Sequence, residues 1–205
     1  MRKLGDSHAF RFRGKMGKAL FAPAFLVLLF SRPVVEKGGL ADLCLYMAGW
    51  LFFTLYLGFR LWATLYVGGR KDTVLQTEGP YSVTRNPLYF GTFCLALSTA
   101  CFFKSFSLLA LIFIGFIIYA RHVITAEEGV LEDIFGQDFR SYCKRTPRFF
   151  PSFSRYRTPE TITIKLVGLR DEFKRLRMSV LMPIAAAVVS YLHLLPSWPI
   201  WFRLP

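Results

Sequence analysis

Five mostly apolar runs, at about 17–33, 40–59, 87–103, 106–124 and 178–195, divide the chain. A helix needs roughly 20 such residues to cross a hydrocarbon core about 30 Å thick. Hydrocarbon offers no partner to a backbone N–H or C=O, so a chain that crosses it by apolar runs of this length is restricted to helices. The predicted fold is therefore all-α, a polytopic membrane bundle of about five transmembrane helices. The 205 residues leave room for one integral membrane domain, 1–205. A composition that is 54% hydrophobic, with 22 phenylalanines, fits that class better than a soluble one.

The first run follows a basic segment, 1–18, and has the outline of a signal peptide. No small-residue cleavage site follows it, because the run ends Ser31-Arg32-Pro33, so a retained first helix is expected. Pro183 predicts a kink in the last run, and Trp198 and Trp201 beyond it predict an interfacial aromatic belt.

Charge sets the expected topology. The net charge of +13 alternates with apolar spans and forms no single stripe, which favours a membrane surface over nucleic acid as the partner. With the N-terminus inside, segments 1–18, 60–86 and 121–177 hold 22 of the 26 Lys and Arg residues. The outside keeps Arg32, Lys37, Lys104 and Arg203. The positive-inside rule then predicts a cytoplasmic N-terminus, an outside C-terminus and a plasma (inner) membrane location. The outside turn at Lys104-Ser105 is so short that the runs on either side should form a tight helical hairpin with both feet on the cytoplasmic side.

The inside segments carry helical periodicity. Leu61, Trp62, Leu65 and Tyr66 predict that the second span continues inward. Leu131, Phe135, Phe139 and Tyr142 share one helix face, with Gly136 placed to bend or end that helix. Over 160–177, Ile162, Leu166, Leu169, Phe173 and Leu176 form an apolar stripe flanked by Lys165, Arg170, Lys174 and Arg175, the pattern of a helix lying on an anionic membrane surface. Of the four cysteines, Cys44, Cys94 and Cys101 lie in apolar runs, and Cys143 does not. No spacing suggests a metal site or a disulfide framework.

Two polar clusters stand at the feet of the predicted hairpin. The first is Gly79-Pro80-Tyr81-Ser82-Val83-Thr84-Arg85-Asn86-Pro87-Leu88-Tyr89-Phe90-Gly91; the second begins at Glu127-Glu128. Taken singly, Arg85 reads as a snorkelling anchor, Pro87 as a helix start, Tyr89 as interfacial packing and the glutamates as helix-start charges. Taken together they point to a ligand site, because Gly79-Pro80 and Pro87 fix the backbone on both sides of Arg85, an ordering that a mere anchor does not require. Neighbouring helical residues point about 100° apart, so Glu127 and Glu128 are expected to have separate partners.

The first cluster resembles the first signature of the isoprenylcysteine carboxyl methyltransferase and phospholipid methyltransferase superfamily. Glu127-Glu128-Gly129-Val130-Leu131, Phe135-Gly136, Phe139, Tyr142 and Pro147-Arg148-Phe149-Phe150-Pro151 resemble the second. The resemblance covers roughly 57–153, a catalytic core, with 156–205 left for the interfacial helix and last span. It implies an integral membrane enzyme that uses S-adenosylmethionine to methylate a lipophilic acceptor drawn from the bilayer. It also implies a cytoplasmic cofactor pocket, with Arg85, Pro87 and Tyr89 on one side and Glu127 and Glu128 on the other, closed by Arg148. Arg85, Asn86, Glu128 and Arg148 are the candidates for a catalytic role.

The chain departs from the family pattern at Asn86, where a histidine is common, and at Phe139, where a tyrosine is usual. Asparagine does not titrate near neutrality, so a general-base role at that position is in doubt. His122 is a possible proton acceptor, set against a purely structural histidine. Two other readings remain: a nicotinamide-dependent membrane reductase related to sterol reductases, and a non-enzymatic membrane protein that keeps the fold. Thr125-Ala126-Glu127-Glu128 stands where the reductases carry an arginine–aspartate–glutamate run, which favours methyl transfer.

Overall fold

A computed structural model describes residues 27–35, 37–67, 74–162, 164 and 166–204. The basic segment 1–18, most of the expected first span and Lys165 lie outside the described residues. Residues 27–30 are helical and run into a short strand, β1 (Ser31–Pro33). The main helices are α1 (Leu40–Val67), α2 (Pro80–Val83), α3 (Pro87–Phe103), α4 (Phe106–Tyr119), α5 (Thr125–Arg145), α6 (Leu166–Ser179) and α7 (Leu181–Leu192). A second short strand, β2 (Phe202–Leu204), pairs parallel with β1, Ser31 opposite Phe202. This strand pair was not expected from the sequence.

Among the described residues, three helical runs are long and apolar enough to cross a membrane: Leu40–Val67, Phe106–Arg145 and Leu166–Leu192. α3 is apolar but has 17 residues, about 26 Å of helix. α1 does continue inward past residue 59, to Val67. The residues expected to form a span at 106–124 and a separate helix from Glu127 instead form one run, because a π-helical turn at Ala120–Ile124 joins α4 to α5 without a break. The extra residue in such a turn resets which way the following side chains face. Gly136 bends α5 with φ 51° and ψ −120°. The expected interfacial helix starts later, at Leu166, and a single turn residue, Val180, separates it from α7. Pro183 has no N–H to give the carbonyl of Ser179, which accounts for the interruption there.

The chain divides into two compact units. The first comprises Met1–Phe52, Ala96–Val123 and Val180–Pro205. In it, α3 ends at Lys104, whose φ of 53° is left-handed. Lys104 N–H donates to Cys101 O at 3.1 Å and Ser105 N–H to Ala100 O at 3.2 Å, a Schellman stop. Ser105 Oγ then accepts from Leu108 N–H and caps α4, so the hairpin turn is the two residues expected. Leu28, Phe102, Phe103, Ala186 and Val189 form the core of this unit. Gly49 lies so close to Phe102 that an added Cβ would stand 2.9 Å from the ring. Trp201 stacks on Phe30 at 4.3 Å, and Trp198 Nε1 donates to Leu29 O.

The second unit comprises Phe53–Leu95 and Ile124–Ser179 and contains every residue of both polar clusters. Phe149 is central to its packing, with Phe90 at 5.7 Å and Phe93 at 5.6 Å between ring centres. Val83, Ile124, Phe139 and Tyr142 are also buried in this unit.

Candidate active site

The first cluster is tied down by the tail of the second. Gly79 has φ 58°, and a Cβ there would run into the Tyr66 ring, so only glycine fits. Its N–H donates to Arg157 O at 2.6 Å. Ser152 N–H donates to Val83 O, Thr84 Oγ1 to Phe149 O and Arg85 N–H to Pro147 O, at 3.0, 2.8 and 2.9 Å. Asn86 Nδ2 donates to Arg148 O at 2.9 Å. From below, the buried Tyr142 hydroxyl donates to Tyr81 O at 2.7 Å. Pro87 begins α3, and the Asn86 carbonyl accepts from Tyr89 and Phe90 N–H. These bonds give Arg85 and Tyr89 fixed backbone origins.

Their side chains meet the glutamates at the start of α5. Tyr89 OH donates to Glu127 Oε1 at 2.6 Å. Glu128 lies between two guanidinium groups, 3.1 Å from Arg85 Nη1 and 3.0 Å from Arg148 Nε. Arg148 Nη2 also donates to Thr125 Oγ1 at 2.7 Å, and Arg85 Nη1 reaches Cys143 Sγ at 2.8 Å. The two adjacent acids thus have different partners. Arg85 Nε is buried and has no hydrogen-bond acceptor among the described residues. The phenol of Tyr81 is pushed up by burial and by Glu127, against the pull of Arg60, so it stays protonated and can only donate or accept a hydrogen bond.

Arg85, Asn86, Pro87, Tyr89, Glu127, Glu128 and Arg148 therefore gather in one place. Asn86 is used as a backbone staple through its amide. His122 is exposed in the π-helical turn.

Sequence reasoning missed a second buried ion cluster. Arg60 of α1 makes a bidentate pair with Glu172 of α6, Nε to Oε1 at 2.6 Å and Nη2 to Oε2 at 2.7 Å, and Arg175 adds a contact to Glu172 at 2.5 Å. Gly91 makes room for it, since a Cβ there would stand 3.0 Å from Arg60 Cγ. The available signal was a lone arginine at the end of an apolar run. The buried residues of α6 include Glu172 and Leu176, whereas Leu166 and Phe173 of the expected apolar stripe are exposed.

This arrangement suits a small polar ligand that carries both charge signs, because cationic donors and carboxylate acceptors converge on rigid backbone. A family model described as phospholipid methyltransferase matches residues 37–138, about half of the chain. The cobalt-zinc-cadmium resistance protein CzcN of Cupriavidus metallidurans is 37% identical over 132 residues, 64% of this chain and 56% of that protein. The nickel-cobalt-cadmium resistance protein NccN of Alcaligenes xylosoxydans xylosoxydans is 37% identical over 96 residues, 47% of this chain and 45% of that protein. The protein-S-isoprenylcysteine O-methyltransferase of Schizosaccharomyces pombe is 33% identical over 138 residues, 67% of this chain and 58% of that protein. The chain thus spans about half the length of the curated relatives it matches. No solved structure matches. With both signatures joined in one site, and the family model covering the first and the start of the second, the chain belongs to the isoprenylcysteine carboxyl methyltransferase and phospholipid methyltransferase superfamily.

Proposed function

We propose that the chain is a multi-pass membrane enzyme that transfers a methyl group from S-adenosylmethionine to a lipophilic acceptor at the cytoplasmic membrane face. The observation that carries this reading is Glu128 held between Arg85 and Arg148 while the buried Arg85 Nε keeps a donor without an acceptor. Membrane insertion is supported by α4, where Leu111, Phe113, Ile114, Ile117 and Ile118 are all about half exposed, a surface that water disfavours. Five spans, a cytoplasmic N-terminus and a plasma (inner) membrane remain part of the proposal, on the charge split alone.

The residues present fit the cofactor. Arg85 offers Nε to its carboxylate, and Glu127 with Tyr89 offers an acceptor and a hydroxyl to its ammonium or ribose hydroxyls. When bound, S-adenosylmethionine supplies an electrophilic methyl group on a sulfonium. The chain's own contribution is then positioning: Glu128 fixes the directions of Arg85 and Arg148, and the staple from Asn86 to Arg148 O keeps the second arginine in register. Asn86 removes no proton in this scheme. An acceptor that arrives as a carboxylate or thiolate needs none removed, so a prenylcysteine-like acid or a hydrophobic anion suits the site better than an amine.

The family match and the isoprenylcysteine relative favour this reading over the reductase. The test is transfer of labelled methyl from S-adenosylmethionine into the organic phase, using purified protein and a panel of prenylcysteine, phospholipid and small hydrophobic acids. Label that appears with wild type and is lost with Glu128→Gln supports the proposal. Well-folded wild type that labels nothing and binds no S-adenosylmethionine contradicts it.

A further inference from the structure

The four cations that the charge pattern assigns to the outer face do not scatter over it. Arg32, Lys37, Lys104 and Arg203 all line one cavity of about 500 Å³ in the first unit. Arg32 comes from β1, Lys37 from the segment after it, Lys104 from the hairpin turn and Arg203 from β2, three regions far apart in sequence. Independent snorkelling anchors would be expected to spread over the surface, since like charges brought together repel one another.

Part of this charge has a local use. Arg32 Nη2 donates to His193 O at 2.6 Å and Lys37 Nζ to Ser190 O at 2.7 Å, at the carbonyl end of α7. Lys104 pairs with Asp42, whose Oδ2 also accepts from Gly38 N–H. Capping takes one donor from each of the first two groups, whereas a guanidinium has five and an ammonium three. Burial and the nearby Lys104 and Arg32 lower the Lys37 ammonium below its ordinary value, despite the opposing pull of Asp42.

Backbone geometry gives a second, independent sign. Lys104 occupies the left-handed position of the Schellman stop with φ 53°, where glycine or asparagine is the unstrained choice. A lysine held there has its backbone fixed by a two-residue turn, and the pair with Asp42 places its ammonium. The same cavity is also lined by Leu28, Phe103 and Val189, members of the buried apolar cluster. The nearby stack of Phe30 with Trp198 and Trp201 has the character of an interfacial aromatic belt. Concentrated cations beside apolar lining match a molecule with a phosphate at one end and hydrocarbon at the other.

We propose that this cavity binds the phosphate headgroup of an anionic phospholipid, seated between Arg32, Lys37, Lys104 and Arg203. The proposal rests on the membrane reading above and not on the methyl-transfer chemistry. Its test is native mass spectrometry of the full chain released from bilayer nanodiscs of equal phosphatidylglycerol and phosphatidylcholine. The comparison is the Lys37→Gln/Lys104→Asn variant, in which asparagine keeps the left-handed turn. Wild type should retain phosphatidylglycerol in preference to phosphatidylcholine. The variant should lose about 30-fold in that retention, the effect of two cations near an anionic headgroup. Arg203→Gln is the second variant if the first is unstable.

Equal retention by folded variants, or no preference for the anionic lipid, overturns the proposal and leaves the cations as helix caps. Displacement of the lipid by millimolar glycerol phosphate also overturns it, in favour of a free phosphate site. S-adenosylmethionine binding, measured on the same variants, should be unchanged, and lipid retention should survive Glu127→Ala/Glu128→Ala. Failure of this site and failure of the methyltransferase reading therefore give different results.

Discussion

Replacing Glu172 by alanine should be among the most damaging single changes in the second unit. Glu172 and Arg60 have side chains 4% and 10% exposed, and the pair is bidentate at 2.6 and 2.7 Å. Without Glu172, Arg60 keeps only the Leu88 carbonyl, 3.5 Å from Nη1, among the described residues. A buried charge stripped of its partner costs about 3–5 kcal/mol, more than most point substitutions. Arg60→Met should cost less, because Glu172 keeps Arg175 at 2.5 Å. Arg60→Met/Glu172→Met should recover most of the loss, since an apolar pair of similar volume avoids the desolvation penalty. Thermal unfolding in mild detergent, followed by near-ultraviolet circular dichroism, reads all three variants. A Glu172→Ala protein within about 0.5 kcal/mol of wild type would refute the reasoning, because the ion pair would then carry no more than a surface one.

Other predictions follow from single contacts. Gly79→Ala combines a left-handed φ with a clash into the Tyr66 ring and should destabilise by about 2 kcal/mol or more, read by the same melt. Tyr142→Phe leaves the Tyr81 carbonyl without its hydroxyl donor and should cost about 1–3 kcal/mol. Tyr89→Phe removes the donor to Glu127 and should weaken S-adenosylmethionine binding by about tenfold, the value of one hydrogen bond to a charged group, with little change in melting temperature. Calorimetric titration checks that last case.

The parts of the fold legible in the sequence are those fixed by local chemistry. α3 runs over the residues expected, because Pro87 supplies a helix start and Lys104-Ser105 a stop with a fresh cap. Gly136 bends α5 as expected, because a glycine in a helix is a local event. The continuous run through Ala120–Ile124 was not legible, since a π-helical turn shifts hydrogen-bond register without a distinctive composition. The Arg60–Glu172 pair was missed for another reason. Its partners are 112 residues apart, and α6 read in isolation places its apolar stripe as the important face. In the candidate site, the sequence supplied which residues come together and the need for separate glutamate partners. It could not supply the pairing of Arg85 with Glu128, nor the turning of Asn86 toward the Arg148 carbonyl, because both depend on the 147–157 segment lying along the first cluster. The convergence of the four outer cations needed three separate segments to be folded together.

The central claim is that S-adenosylmethionine binds where the two signatures meet. Calorimetric titration of the cofactor into detergent-purified protein tests it most directly, with the Glu127→Ala/Glu128→Ala variant measured alongside. The account predicts micromolar binding by wild type and its loss in a variant that still melts cooperatively. Unchanged affinity in the variant, or no binding by folded wild type, would contradict it.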